Sequence, residues 1–264
     1  MKQIKYSHEV PFCLLEHNLE WSSYQYCLPH LMEENEQYRD FFLRCAENGV
    51  EIYLDNSLHE LGYAMDDATL IKWMTALKPS TFFIPDAWED YNTSVVNARR
   101  WAKIDVPKGV TKTAVIQAKS LHEAMICVQT YRDLGYKKFA FSYGASYYND
   151  LCPHKNPDFG KAIGRFIVIS TLYQEGLLLD SDRVHLLGSA WPAEFSMYRN
   201  FPFIESIDTS NPIMASIDGN AYTAMGLNRK PVANMNKYQD VDIDFIALDL
   251  VEYNVMKFRE INGL

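Results

Sequence analysis

The sequence predicts an α/β fold, a (β/α)8 TIM-type barrel in a single domain. Three observations carry this. The chain has 264 residues, a length at which α/β barrels stand as one unit. Short apolar runs of strand length recur, with helical patterns between most of them. The runs are apolar on both faces, which suits a parallel sheet covered by helices. Seven or eight such units favour closure into a barrel over an open doubly wound sheet. No G-x-G-x-x-G follows the first run and no G-x-x-x-x-G-K-[ST] occurs, which weakens dinucleotide and P-loop readings.

In chain order the predicted strands are FCLLE (12–16), VEIYLD (50–55), TFFIPD (81–86), TAVIQ (113–117), KFAFSY (138–143), RVHLLG (183–188) and FIESID (203–208), with PIMASI (212–217) a weaker eighth. Amphipathic stretches at 31–49, 66–78, 92–104, 120–135 and 159–178 read as helices. Asn92 and Ser120 are N-cap candidates, and Gly49 and Gly135 suit helix C-termini. The tail, 240–263, reads as one closing helix. There is no internal repeat and no low-complexity segment.

Composition agrees with a folded core: 48% hydrophobic, 22% charged and 14% aromatic argue against disorder. No apolar run approaches the roughly 20 residues of a membrane span. The N-terminal MKQIKYSHEVPF has no apolar h-region, so no secretory signal is expected. Five dispersed cysteines, Cys13, Cys27, Cys45, Cys127 and Cys152, read as reduced thiols of a cytoplasmic protein and make a cysteine-built zinc site unexpected. The net charge of -9 disfavours nucleic-acid binding by bulk charge and leaves room for a local patch. Arg99, Arg100, Lys103, Lys108 and Lys112 are the candidates for one, although Arg99 and Arg100 also read as a solvated helix face.

The informative pattern lies at the ends of the apolar runs, which carry Glu16 and His17, Asp55, Asp86, Gln117, Ser142 and Tyr143, Gly188, and Asp208. In a barrel these positions converge on one mouth. Several carboxylates converging on a pocket are costly unless they do chemistry or bind donors. Each has a plainer role to set beside that one. An Asp after a strand caps the next helix, Asp208 can close an Asx turn onto Ser210, Gln117 can pin a loop, and His185 inside its strand can be a satisfied core histidine. His8, His17 and Glu16 are of metal-ligand type, but no i, i+4 His pair supports that role, and no metal is expected.

Two stretches, TFFIPDAWEDYNTSVVNARRW (81–101) and TAVIQAKSLHEAMICVQTYRDLGYKKFAFSY (113–143), together with VHLLGSAWPAEFSMY (184–198) and IESIDTSNP (204–212), resemble the tRNA-guanine transglycosylase superfamily. The likeness is to its shorter, divergent members, among them DNA-modifying 7-deazaguanine transglycosylases of phages and bacteria, and it runs from about Glu51 to about Pro212. It rests on a strand ending in Pro-Asp with a following acidic residue and Thr, a strand ending in Gln, and a helix ending in Tyr-x-x-Leu-Gly-Tyr. Three departures stand out. FSYGASY (141–147) replaces the family's Gly-Gly-x-x-x-Gly stretch, DNSLHELG (55–62) replaces Asp-Ser-Gly-Gly-Phe, and no cysteine follows Cys152 to form the zinc site of the tRNA enzymes.

The resemblance implies that Asp208 is the nucleophile and Asp55 the general base, with those two roles open to exchange. It also implies that Asp86 and Gln117 read a guanine-like base, with Ser142, Tyr143 and Gly188 beside them. The implied reaction exchanges guanine in nucleic acid, DNA in preference to tRNA, for a 7-deazaguanine such as 7-cyano-7-deazaguanine, through a covalent glycosyl–Asp intermediate. Its transition state is oxocarbenium-like. One carboxylate can accept from both N1–H and the exocyclic amine of guanine, and a duplex substrate has to be flipped. No cofactor is needed, no membrane contact is expected, and the oligomeric state stays open. A nucleoside or sugar hydrolase using the same carboxylates, and a catalytically silent barrel serving as a binding subunit, are the rival readings.

Overall fold

The computed structural model describes residues 3–189 and 191–264. Eight strands form one parallel sheet: β1 (Lys5–Ser7), β2 (Gln25–Cys27), β3 (Ile52–Leu54), β4 (Thr81–Phe83), β5 (Thr111–Val115), β6 (Lys138–Ser142), β7 (Arg183–Leu187) and β8 (Ile204–Asp208). Their order is β1-β8-β7-β6-β5-β4-β3-β2, and the registered pairs, such as Ser7 with Asp208 and Leu54 with Phe82, are parallel. Tyr6 on β1 exchanges backbone and side-chain bonds with Ser23, which leads into β2. Order, direction and intervening helices are those of a (β/α)8 barrel.

The helices are α1 (Leu15–Trp21), α2 (Pro29–Glu34), α3 (Glu36–Glu47), α4 (Leu58–Leu61), α5 (Asp67–Leu77), α6 (Tyr91–Ala102), α7 (Leu121–Asp133), α8 (Tyr148–Leu151), α9 (Pro157–Gln174), α10 (Asn211–Ile217), α11 (Met235–Tyr238) and α12 (Leu248–Asn262). Ser120 caps α7 by accepting from Glu123 N, as its sequence position predicts. Asp90, not Asn92, caps α6, accepting from Thr93 N. Gly49 and Gly135 take φ of 72° and 92° just past α3 and α7, the left-handed step that ends a helix. None of the described helices is long and apolar enough to cross a membrane.

Two predicted strands are helical. FCLLE folds as a 3-10 turn (Phe12–Leu14) running into α1, and PIMASI is α10 with Pro212 in its first turn. A short apolar run does not distinguish a buried strand from a buried helix face, and proline suits the first helical turn because its missing N–H would have no partner there. The real first two strands, KYS and QYC, are three residues each. Glu16 and His17, expected at a strand end, therefore lie on exposed positions of α1, where His17 stacks on Trp21.

The chain packs as two compact units, one of Met1–Ser23 with Ser142–Leu264 and one of Tyr24–Phe141. The core of the first is apolar side chains of α9, β7, β8 and α12, including Val168, Leu172, Leu186, Ile207 and Phe258. The core of the second includes Leu54, Phe82, Trp101, Val128 and Phe139. Each closes water away from the strands that carry the polar ends, so those polar groups must find partners within the protein.

Candidate functional site

In the unit of Tyr24–Phe141, β3, β4 and β5 each end in a predicted polar residue. Asp55 follows β3 directly; its Oδ1 accepts from the Tyr26 hydroxyl and its Oδ2 from Ser57 N, both at 2.9 Å. The second bond is an Asx turn, so the plain turn role of Asp55 is met as well. It holds Ser57 at φ 62°, a left-handed conformation uncommon outside glycine.

Asp86 is buried beyond β4 and gripped by two amides. Asn56 Nδ2 donates to its Oδ1 at 2.7 Å, and Gln117 Nε2 to its Oδ2 at 2.6 Å. Both amides are oriented in turn: Asn56 also donates to Ile84 O and accepts from Leu58 N, and Gln117 Oε1 accepts from Glu89 N at 2.8 Å. Burial pushes the Asp86 carboxyl up to about 7, against the pull of the Gln117 and Asn56 bonds, and Asp55 adds to the rise. Asp86 also borders a cleft of about 530 Å3 lined by Trp88, Tyr63, Asp66, Asp67 and Arg100 among others. Trp88 and Tyr63 are exposed, so two aromatic faces are open to a ligand.

In the other unit the centre is Asp208, the last residue of β8. Its Oδ1 faces His185 Nε2 at 2.9 Å and accepts from Gly188 N at 3.3 Å. A register irregularity between Val184 and His185 sets His185 opposite Ser206, whose hydroxyl meets His185 Nδ1 at 2.9 Å. Irregularities of this kind re-aim side chains near functional sites. His185 is thus a fully buried, satisfied histidine, and its partner is the candidate nucleophile. Burial raises the Asp208 carboxyl to about 7, opposed by the Gly188 N–H, by the Arg165 charge and by a hydrogen bond from Glu9. The turn beyond is held by Thr209 Oγ1, which accepts from Asn211 N.

Arg165 on α9 braces the Leu187–Gly188 segment beside Asp208. It is fully buried, pairs with Glu194 at 2.6 Å, and donates to the carbonyl oxygens of Leu187 and Gly188 at 2.9 Å. Burial works against the guanidinium charge, and the Glu194 carboxylate together with Tyr198 and Tyr148 outweighs it. Gly188 has φ +62°, and a Cβ there would lie 2.4 Å from the Tyr143 ring, so Tyr143 packs against a position that favours glycine. The Lys230 ammonium stands 4.3 Å over the same ring and bonds its hydroxyl. Ser142 Oγ accepts from Gly144 N, which shapes the turn after β6.

Sequence reading overlooked Asn56, Tyr26, Glu9 and the Arg165–Glu194 pair. Asn56 is the chain neighbour of Asp55, so an amide next to a candidate carboxylate was the available signal. Glu9 was hidden by placing the first strand at 12–16; with β1 at Lys5–Ser7 it stands just past a strand end like the others. Two of the five residues of the predicted basic patch are engaged within the protein: Arg100 pairs with Asp67 at 2.9 Å, and Lys112 Nζ donates to the carbonyls of Trp101 and Ile104; Arg99, Lys103 and Lys108 are exposed. Burial pushes the Cys127 thiol up to about 12 and raises Cys27 well above the usual range, which leaves both unreactive as nucleophiles. Among the described residues no group of three or more His, Cys, Asp or Glu is placed to hold a metal ion. The chain matches no protein-family model and none of the curated proteins with which it was compared.

Proposed function

We propose that the protein is a transglycosylase that exchanges guanine in nucleic acid, DNA in preference to tRNA, for a 7-deazaguanine base. The observation that carries this reading is the Asp86 carboxyl, buried and held between two oriented amides beside a cleft with open aromatic faces. Each oxygen keeps an acceptor position beyond the amide bond it receives. Such a carboxylate suits a planar edge with two adjacent donors, as guanine N1–H and its exocyclic amine present. Trp88 suits stacking on the base face.

In this reading Asp208 attacks C1′ and the C1′–N9 bond breaks, its electron pair leaving with the base. Asp55 supplies the proton the departing base takes up and recovers one from the incoming base. The new base then attacks C1′ and displaces Asp208, so configuration is retained. The Gly188 N–H donates to Asp208 Oδ1 and His185 Nε2 lies against the same oxygen, and the two hold its attacking geometry.

The test is incubation with labelled guanine and with DNA or tRNA, and recovery of the polymer. Label in DNA, lost in Asp208→Asn, supports the reading; release of free base with no incorporation assigns a hydrolase instead. A protein–nucleic-acid adduct trapped with wild type and absent in Asp208→Asn identifies the nucleophile. An adduct that survives in Asp208→Asn and vanishes in Asp55→Asn exchanges the two roles.

A further inference from the structure

β2 and the first turn of α2 reach the Asp55 carboxylate by two routes. Tyr26 on β2 donates to it directly. His30, in the first turn of α2, reaches it through Ser57. The Ser57 hydroxyl oxygen meets His30 Nδ1 at 2.8 Å and accepts from His30 N at 3.4 Å. With that backbone N–H on Oγ, the hydroxyl hydrogen is left for Nδ1, which puts the proton of the neutral ring on Nε2. Burial holds His30 below its usual value, with the Glu34 charge pulling the other way, so the neutral, accepting ring is favoured. Ser57 is fully buried and sits at φ 62°, a conformation that is costly for any residue with a Cβ and free for glycine. In that conformation its N–H donates to Asp55 Oδ2. The preceding residue, Asn56, gives its side-chain amide to Asp86 Oδ1 and has its own Oδ1 held by Leu58 N. One strained turn thus orients a bond to Asp55 and the residue that grips Asp86.

We propose that His30 is a positioning residue: it clamps the Ser57 hydroxyl, holds the Asp55–Ser57 turn in its left-handed form, and through that turn fixes the Asp55 carboxylate and the Asn56 amide. That this fixed geometry serves base exchange rests on the transglycosylase reading; the clamp itself does not. The effect is conformational. A serine relaxes toward negative φ unless bonds oppose it, and three do here. The Ser57 N–H donates to Asp55, the Ser57 carbonyl accepts from Leu61 N, and Oγ is held by His30. The first two are local in the chain and travel with the turn. The His30 bond is the one of the three that ties the turn to another strand–helix unit. A glycine at position 57 keeps the turn without the clamp, whereas an alanine carries the strain with no Oγ to hold it.

The experiment is amide hydrogen exchange at position 57, followed by NMR in the protein without substrate. The Ser57 N–H is expected to be protected in wild type, with its protection factor falling about tenfold or more in Ser57→Ala and in His30→Leu. Protection should stay within about threefold of wild type in Ser57→Gly and in His30→Asn, whose amide oxygen takes the place of Nδ1 as acceptor. Adding His30→Leu to Ser57→Gly should cost no more than about twofold, since glycine needs no clamp. Equal protection in Ser57→Ala and Ser57→Gly, whether kept or lost, overturns the proposal. So does a His30→Leu effect that persists in full on Ser57→Gly. The alanine–glycine contrast decides the matter if His30→Leu does not fold. The base-exchange assay on the same samples keeps the two ideas apart. Exchange that falls about tenfold further in Ser57→Ala than in Ser57→Gly supports both. The expected amide pattern with no exchange in wild type sinks only the transglycosylase reading, and exchange with equal protection in the two Ser57 variants sinks only the clamp.

Discussion

Arg165 Nη2 donates to the carbonyl oxygen of Gly188 at 2.9 Å, and the N–H of that same glycine points at Asp208 Oδ1. A buried cation on α9 therefore orients a backbone donor at the end of β7 toward a carboxylate at the end of β8. Its countercharge, Glu194, is as fully buried as Arg165 itself. A pair of this kind is costly to break from one side, because the remaining charge has neither water nor a partner.

Arg165→Met is expected to destabilise the fold by about 3–5 kcal/mol, read from urea denaturation. Arg165→Met combined with Glu194→Leu should recover much of that loss, since no charge is then left unpaired. Equal losses in the single and double variants would show that the hold on Leu187 and Gly188, rather than the ion pair, sets the cost.

Gly188→Ala meets two obstacles: a φ of +62° and a Cβ 2.4 Å from the Tyr143 ring. Together they should cost about 2–4 kcal/mol. In a Tyr143→Ala background the steric part disappears and about 1 kcal/mol of backbone strain remains. Additive losses from the two substitutions would mean that the ring moves aside freely.

The pH dependence of stability should carry the mark of Asp86. Its folded value of about 7 lies above the unfolded value of about 3.9, so the native state binds the proton more tightly. The stability this contributes is complete below about pH 3.9 and is lost as pH rises through about 7. The stability difference between wild type and Asp86→Asn should therefore shift against wild type by a few kcal/mol, on the order of three units at 1.36 kcal/mol each, between pH 4 and 7.5. His8, depressed to about 4 by burial, acts in the opposite sense over pH 4–6.5 and cancels in that difference. A difference independent of pH would mean that Asp86 titrates normally.

For nucleic-acid binding on the proposed reading, Lys112→Met should cost about 1 kcal/mol of stability, because its ammonium caps carbonyls at the end of α6, while leaving the salt dependence of DNA affinity unchanged. Lys230→Ala, beside Tyr143, should lower the slope of log affinity against log salt by about 1. A changed slope in Lys112→Met and none in Lys230→Ala would return the contact to the patch read from the sequence.

Six of the eight strands were legible because their apolar runs are flanked by helix signals that act locally, and the polar residues at their ends lie on or just beyond the strands. The cap of α7 and the glycines after α3 and α7 were legible for the same reason: each depends on one residue and its neighbours. KYS and QYC were not legible, since three residues with a polar member carry no period. FCLLE misled because burial, which its apolar character correctly announced, does not specify the backbone that achieves it.

The sequence by itself determined the alternation of elements, the parallel sheet and the residue types at the strand ends, all consequences of local propensity and of which faces must leave water. Tertiary structure alone decided the partners: Asn56 and Gln117 on Asp86, His185 and Gly188 on Asp208, Glu194 on Arg165. Those choices arise from burial, because a polar group sealed from water takes whichever complementary group the strand register brings within reach. That register is a property of the assembled sheet and not of any one segment.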